Sequence, residues 1–146
     1  MDFQVLYTQQ WLNSTYGAKT GWVHLTEDGQ TGRGTIYGLR RALQVELGVT
    51  PIAEGFGPAT TNAYQTKVGA ISATSATAPN VLRIFNGALW CKGYAAFAMG
   101  NSAARPPTFA ELAPAVALVR ADLGLTATAA PATASVDVKL MARPRP

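Results

Sequence analysis

Residues 27–48, EDGQTGRGTIYGLRRALQVELG, decide how this chain folds. Asp28-Gly29 reads as a tight turn, because glycine accepts φ > 0 and aspartate can bond its own backbone. A second flexible patch, Thr31-Gly32-Arg33-Gly34, leads to Thr35, whose hydroxyl suits an N-cap by accepting from the orphan N–H groups of a first turn. A helix is therefore expected to begin at Thr35. From there Ile36, Leu39, Leu43 and Leu47 recur at spacings of three and four, the stripe of a helix with one buried face. Gly48 supplies a left-handed stop and Pro51 lies just beyond it.

Working outward, Val5, Thr8, Leu12 and Tyr16 share a helical face with Trp11 beside it, and Gly17 closes that helix. Trp22-Val23-His24-Leu25 reads as a loop packed on the core. Beyond Gly48, the segment from Pro51 to Pro58 is broken by glycine and proline. Gly57-Pro58 then leads into a third helix, starting near Ala59 or Thr60, ending about Val68 and burying Ala63 and Tyr64. Residues 71–79, ISATSATAP, have the composition of a linker and set the expected domain boundary.

After that linker the first half returns in weaker form. Leu82, Phe85-Asn86 and Leu89 repeat Val5, Thr8-Gln9 and Leu12 at an offset of 77. Val119-Arg120 and Gly124-Leu125 repeat Leu43-Gln44 and Gly48-Val49 at an offset of 76. Val136, Lys139 and Leu140 fall where the counterparts of Thr60, Ala63 and Tyr64 belong. The agreement points to an internal duplication. The second copy closes its first helix at Lys92-Gly93-Tyr94, but has Arg105-Pro106-Pro107 in place of the Asp-Gly turn and a low-complexity stretch, 126–135, in place of the Gly-Pro step. The expected architecture is all-α, two tandem three-helix modules, over residues 1–72 and 80–146, the second degenerate with a Pro-rich tail.

The motif Asp28-Gly29-x-Thr31-Gly32-x-x-Thr35, then Leu43-Gln44-x-x-x-Gly48-Val49, then Phe56-Gly57-Pro58-x-Thr60-x-x-Ala63-Tyr64, resembles the peptidoglycan-binding type 1 domain. That family reads roughly DGxFGxxT, FQxxxGL and VGPxTxxAL. The first helix is similar too, with Val5, Thr8-Gln9, Leu12-Asn13 and Tyr16 where the family has VxxLQxxLNxxGY. Two departures stand out: Thr31 replaces the usual aromatic, and about one extra residue separates Thr35 from Gln44. The wording is also similar to modules beside glycoside-hydrolase-like domains in some bacterial cell-wall proteins. The resemblance implies a three-helix fold that binds peptidoglycan.

Composition bounds the rest. A chain of 146 residues, 48% apolar and 14% charged, holds one ordinary domain or two very small ones and does not suit disorder throughout. Twelve basic against eight acidic residues, net +4, favours anionic partners. The basic residues are scattered, so no nucleic-acid reader is expected. The start, MDFQVLYTQQ, shows no visible signal peptide, and no apolar run approaches the length of a membrane span. A working place at the cell wall, outside the cell or in a virion would then need another route of export.

Catalysis is not expected. Eight acidic residues offer no evident pair facing across a cleft for glycan hydrolysis, since Asp28 sits in a turn and Glu46 and Asp122 near helix ends. One histidine, His24, and one cysteine, Cys91, do not make a zinc set, so neither a metal nor a cofactor is expected. Cys91 follows Leu89-Trp90 on an apolar helix, where a buried thiol is structural rather than reactive. Glycines 29, 32 and 34 miss both phosphate-loop fingerprints. Trp11, Trp22 and Trp90 serve first as core area, Asn13 and Gln44 could satisfy buried backbone groups, and Arg40-Arg41 is a helix pair of which one must lie near Tyr37.

The leading expectation is a non-catalytic module that holds peptidoglycan glycan or stem peptide in a shallow groove. Trp11 and Tyr37 would offer apolar faces, and Asn13, Arg40 and Gln44 hydrogen bonds and charge. Asp28, Gly29, Thr35, Gly48, Gly57 and Pro58 would form the supporting frame. A wall hydrolase, fused or separate, would gain local concentration from such a module. The alternative is a structural or decoration protein of a phage particle or other assembly, partnered by neighbouring subunits.

Overall fold

The computed structural model describes residues 1–55, 57–68, 78–98 and 105–122. Among them lie five α-helices and no strand: α1 (Phe3–Tyr16), α2 (Arg33–Leu47), α3 (Pro58–Lys67), α4 (Pro79–Cys91) and α5 (Phe109–Asp122). The protein is all-α. The third helix expected in the second copy, around Val136–Leu140, lies outside the described residues.

Each helix starts for a local reason. Asp2 caps α1, its Oδ1 accepting from the N–H groups of Gln4 (2.8 Å) and Val5 (3.2 Å), so this helix begins two residues before Val5. Pro58 and Pro79 occupy the first turns of α3 and α4, where the missing N–H costs nothing. Thr108 and Glu111 form a reciprocal capping box ahead of α5: the Thr108 N–H donates to Glu111 Oε1 (2.9 Å) and the Glu111 N–H to Thr108 Oγ1 (3.4 Å).

The start of α2 corrects one expectation. Gly32, not Thr35, is the N-cap, and the helix begins at Arg33. Thr35 sits buried inside the first turn because its hydroxyl is taken by the Gln9 amide of α1 at 3.0 Å, leaving none for capping. The other end follows the sequence: Gly48, at φ 73°, is the left-handed C-cap, and its N–H bonds back to α2. Lys67 adds a second closure by donating to the Leu47 carbonyl.

One apolar cluster joins all five helices. It takes Val5, Leu12 and Tyr16 from α1, Leu39, Leu43 and Leu47 from α2, Tyr64 from α3, Ile84, Phe85 and Leu89 from α4, and Leu112 and Val116 from α5. α4 packs on both α1 and α2 and carries α5. It approaches α1 closely at Gly87, where a Cβ would stand 2.5 Å from Thr8 Cγ2. The boundary expected between residues 72 and 80 falls between α3 and α4, while the buried face of α4 belongs to the same cluster as the helices before it. Full burial of an aliphatic or Phe side chain contributes about 1.5–3 kcal/mol. Three such residues on α4 therefore carry a sizeable part of the roughly 5–15 kcal/mol by which small domains are stable.

Candidate functional site

Three buried amide side chains tie irregular chain to the helices. From α1, Gln9 accepts at Oε1 from the N–H groups of Asp28 (3.1 Å) and Gly29 (2.9 Å), and donates through Nε2 to Gln30 O (3.0 Å), Thr35 Oγ1 (3.0 Å) and Asp28 Oδ1 (3.2 Å). One turn later Asn13 grips Leu25 at both backbone groups, each at 2.9 Å, and donates to Glu27 Oε2 at 2.8 Å. From α2, Gln44 accepts from the Ala53 N–H (2.7 Å) and donates to Gly55 O (2.9 Å) and Thr60 Oγ1 (3.1 Å). Buried amides leave no polar atom to spare in water-poor surroundings, so these contacts fix both loops. The second half repeats the device: Asn86, the counterpart of Gln9 in the repeat register, holds both backbone groups of Phe97 at 3.0 Å, and Trp90 Nε1 donates to the same carbonyl.

Held this way, the loop 23–30 forms one wall of an open groove of about 500 Å³ whose other wall is the first half of α2. Tyr37 and Arg41, one helical turn apart, look into it together with Asp28, Gln30, Thr26 and Glu54. The Tyr37 hydroxyl has no hydrogen-bond partner among the described residues. Arg41 lies 4.0 Å from Glu54, a charge pairing too long for a hydrogen bond. Asp28 is anchored through Oδ1 alone, by the Gln30 N–H (3.0 Å) and Gln9 Nε2 (3.2 Å). Those donors, the Gln30 backbone first, hold its carboxyl below the usual carboxylate range, so it stays ionised at neutral pH and is poorly suited to deliver a proton.

The residues expected to bind divide sharply. Tyr37 lines the groove. Asn13 and Gln44 are buried and spent on loop backbone. Trp11 is 5% exposed, edge-on to Tyr16 at 5.6 Å and covered by the Arg83 guanidinium at 4.9 Å, so its ring is core and cation–π platform. Arg40 turns elsewhere, with Nη1 3.4 Å from the Glu54 carbonyl and its charge bearing on Lys92, the C-cap of α4; Lys92's ammonium pKa is lowered mainly by burial and secondarily by Arg40. Arg41 takes the place meant for Arg40. The spacing i, i+4 from Tyr37 was the available signal, but i, i+3 satisfies the same face rule. Glu54 carried no motif at all.

The frame residues take these positions: Asp28-Gly29 is the turn, with Gly29 at φ 70°, and Gly57-Pro58 caps and opens α3. Among the described residues no three His, Cys, Asp or Glu side chains gather as a metal set, no helix is long and apolar enough to cross a membrane, and Cys91 is buried.

Comparison with known proteins gives one family. A model described as "FadG/YbfG, PGDB-like domain", PGDB standing for peptidoglycan-binding-like, matches residues 2–90. This corrects the type 1 assignment: the matching model is a different family, and of the two departures from the type 1 pattern, Thr31 directly precedes the Gly32 N-cap of α2 and the extra residue between Thr35 and Gln44 falls within the body of that helix. The chain is 47% identical over 94 residues to the uncharacterized protein FadG of Bacillus subtilis (strain 168), covering 64% of this chain and 16% of FadG. It is 48% identical over 94 residues to the uncharacterized protein YbfG of the same organism, covering 64% of this chain and 13% of YbfG. The chain thus spans less than a fifth of either relative. No solved structure matches.

Proposed function

The chain belongs to the FadG/YbfG PGDB-like domain family, and from that premise we propose that it is a non-catalytic module binding bacterial peptidoglycan through the groove between loop 23–30 and α2. One observation carries the reading: an aromatic, a guanidinium and hydrogen-bonding side chains converge on a groove whose backbone is locked by buried amides. A preformed site of that kind loses little ordering entropy on binding a flexible polymer. The ionised, hydrogen-bonded Asp28 suits recognition better than acid catalysis. Affinity per module is modest, and attachment to a wall enzyme or to a second module multiplies it.

The test is co-sedimentation of the full chain with purified sacculi. Tyr37→Ala and Arg41→Ala lower the bound fraction severalfold while Arg40→Ala leaves it near wild type, and the Arg41 contribution shrinks with added salt. Sacculi that retain none of the wild-type chain sink the proposal.

A further inference from the structure

The groove's charge runs against that of the chain as a whole. The sequence carries a net charge of +4, yet the groove presents two carboxylates, Asp28 and Glu54, against one guanidinium, Arg41. A site for an anionic wall polymer would not place an ionised carboxylate with one oxygen unengaged at its rim: Asp28 Oδ2 accepts from no described residue, while Oδ1 is fully used. Arg41 and Glu54, at 4.0 Å, stand close enough to hold each other's position and too far apart to hydrogen-bond, so both charges keep capacity for a partner. A largely buried guanidinium at the groove wall beside the exposed Glu54 carboxylate, next to a Tyr37 hydroxyl without a partner among the described residues, is complementary to a ligand carrying both signs.

Resting on the wall-binding reading above, we infer that the groove recognises the peptide part of peptidoglycan through a free primary ammonium and a neighbouring carboxylate, as an uncross-linked stem peptide with a diamino acid presents them. Asp28, supported by Glu54, receives the ammonium; Arg41 receives the carboxylate; Tyr37 covers the aliphatic stem between them. A cross-linked amine is an amide without charge, so the module prefers wall regions with unjoined peptides.

Calorimetric titration of the full chain tests this with three synthetic probes: a stem tetrapeptide with a free side-chain amine, the same peptide acetylated on that amine, and a peptide-free glycan oligomer. Acetylation is expected to weaken binding about tenfold, the size of one lost charge-assisted contact. Asp28→Asn weakens the free-amine peptide and leaves the acetylated one unchanged. This variant keeps an amide oxygen for the Gln30 and Gln9 donors, so the turn survives; should its melting temperature nevertheless fall, Glu54→Gln removes charge from an exposed position with the same expected sign. Equal binding of free and acetylated peptides, or binding of the bare glycan alone, overturns the inference while sacculus retention keeps the wall-binding proposal standing. Loss of sacculus binding by the wild-type chain fails both.

Discussion

Replacing Gln9 with Met keeps the length and volume of the side chain and removes its five hydrogen bonds, isolating what that amide does. Two of the bonds are wholly buried, those to the Gly29 N–H and to Thr35 Oγ1, and their partners have no water to turn to. An orphaned buried polar group costs about 1–3 kcal/mol, so the pair predicts a loss of about 2–6 kcal/mol, with the three half-buried bonds to Asp28 and Gln30 adding little because solvent can replace them. Against a total of roughly 5–15 kcal/mol that is a large fraction. Urea unfolding followed by tryptophan fluorescence measures it, with an unchanged slope showing that the unfolded state is unaffected. A loss below about 1 kcal/mol would refute the reasoning, since it would mean that the loop reaches water or new partners without Gln9. Gln9→Glu gives a sharper signature. Its carboxylate meets Asp28 Oδ1 and the Gln30 carbonyl where the amide donated, which raises its folded pKa above the unfolded value. Stability should therefore be fullest below the unfolded pKa and fall as pH rises through the folded one.

Gly87→Ala puts a methyl group against Thr8 Cγ2 and forces α1 and α4 apart, with an expected cost of about 1–3 kcal/mol; adding Thr8→Ala restores part of it, and a double-mutant cycle showing no coupling would disprove the close approach. Gly29→Val strains the turn at φ 70° and crowds Asp2 O, costing about 1–2 kcal/mol or more, and an unchanged melting temperature would reject the left-handed turn. Glu111, held down at about 2 first by Arg105 and then by the Thr108 N–H, has a folded pKa below its unfolded one. Its contribution is present above the unfolded value and lost as pH falls through the folded value, so a carboxyl chemical-shift titration should show it ionised well below the ordinary glutamate range; a midpoint of about 4.3 would deny the Arg105 pairing.

The helices were legible because their signals are local. The stripe from Leu39 to Leu47, the Gly48 stop and Pro58 each act within about one turn of chain, and Pro58 opens α3 one or two residues before the expected start at Ala59 or Thr60. The site was legible only in part because side-chain direction depends on partners distant in sequence. Asn13 and Gln44 look like ligand readers along the chain, yet the partners that claim them lie 9 to 16 residues away, in loops without periodicity and, for Thr60, in the first turn of α3. Thr35 has the right chemistry for a cap, and a glutamine 26 residues earlier takes its hydroxyl. Trp11 was ambiguous for a related reason: only the arrival of Arg83 from α4 decides that its ring is covered.

The amide clasps also separate what holds the loop from what the loop displays. Gln9 and Asn13 grip main-chain atoms at Leu25, Asp28, Gly29 and Gln30 and, within residues 23–30, the side chains of His24, Glu27 and Asp28, so the other exposed side chains of the segment are not needed for its shape. Thr26 and Gln30 are exposed, line the groove and lend no side chain to the clasps, whereas the His24 ring meets Asn13 Nδ2 at 3.3 Å. Randomising those two positions should yield a combinatorial library in which nearly every member keeps the parental backbone, making the loop a display surface whose specificity can drift or be engineered without renegotiating the fold.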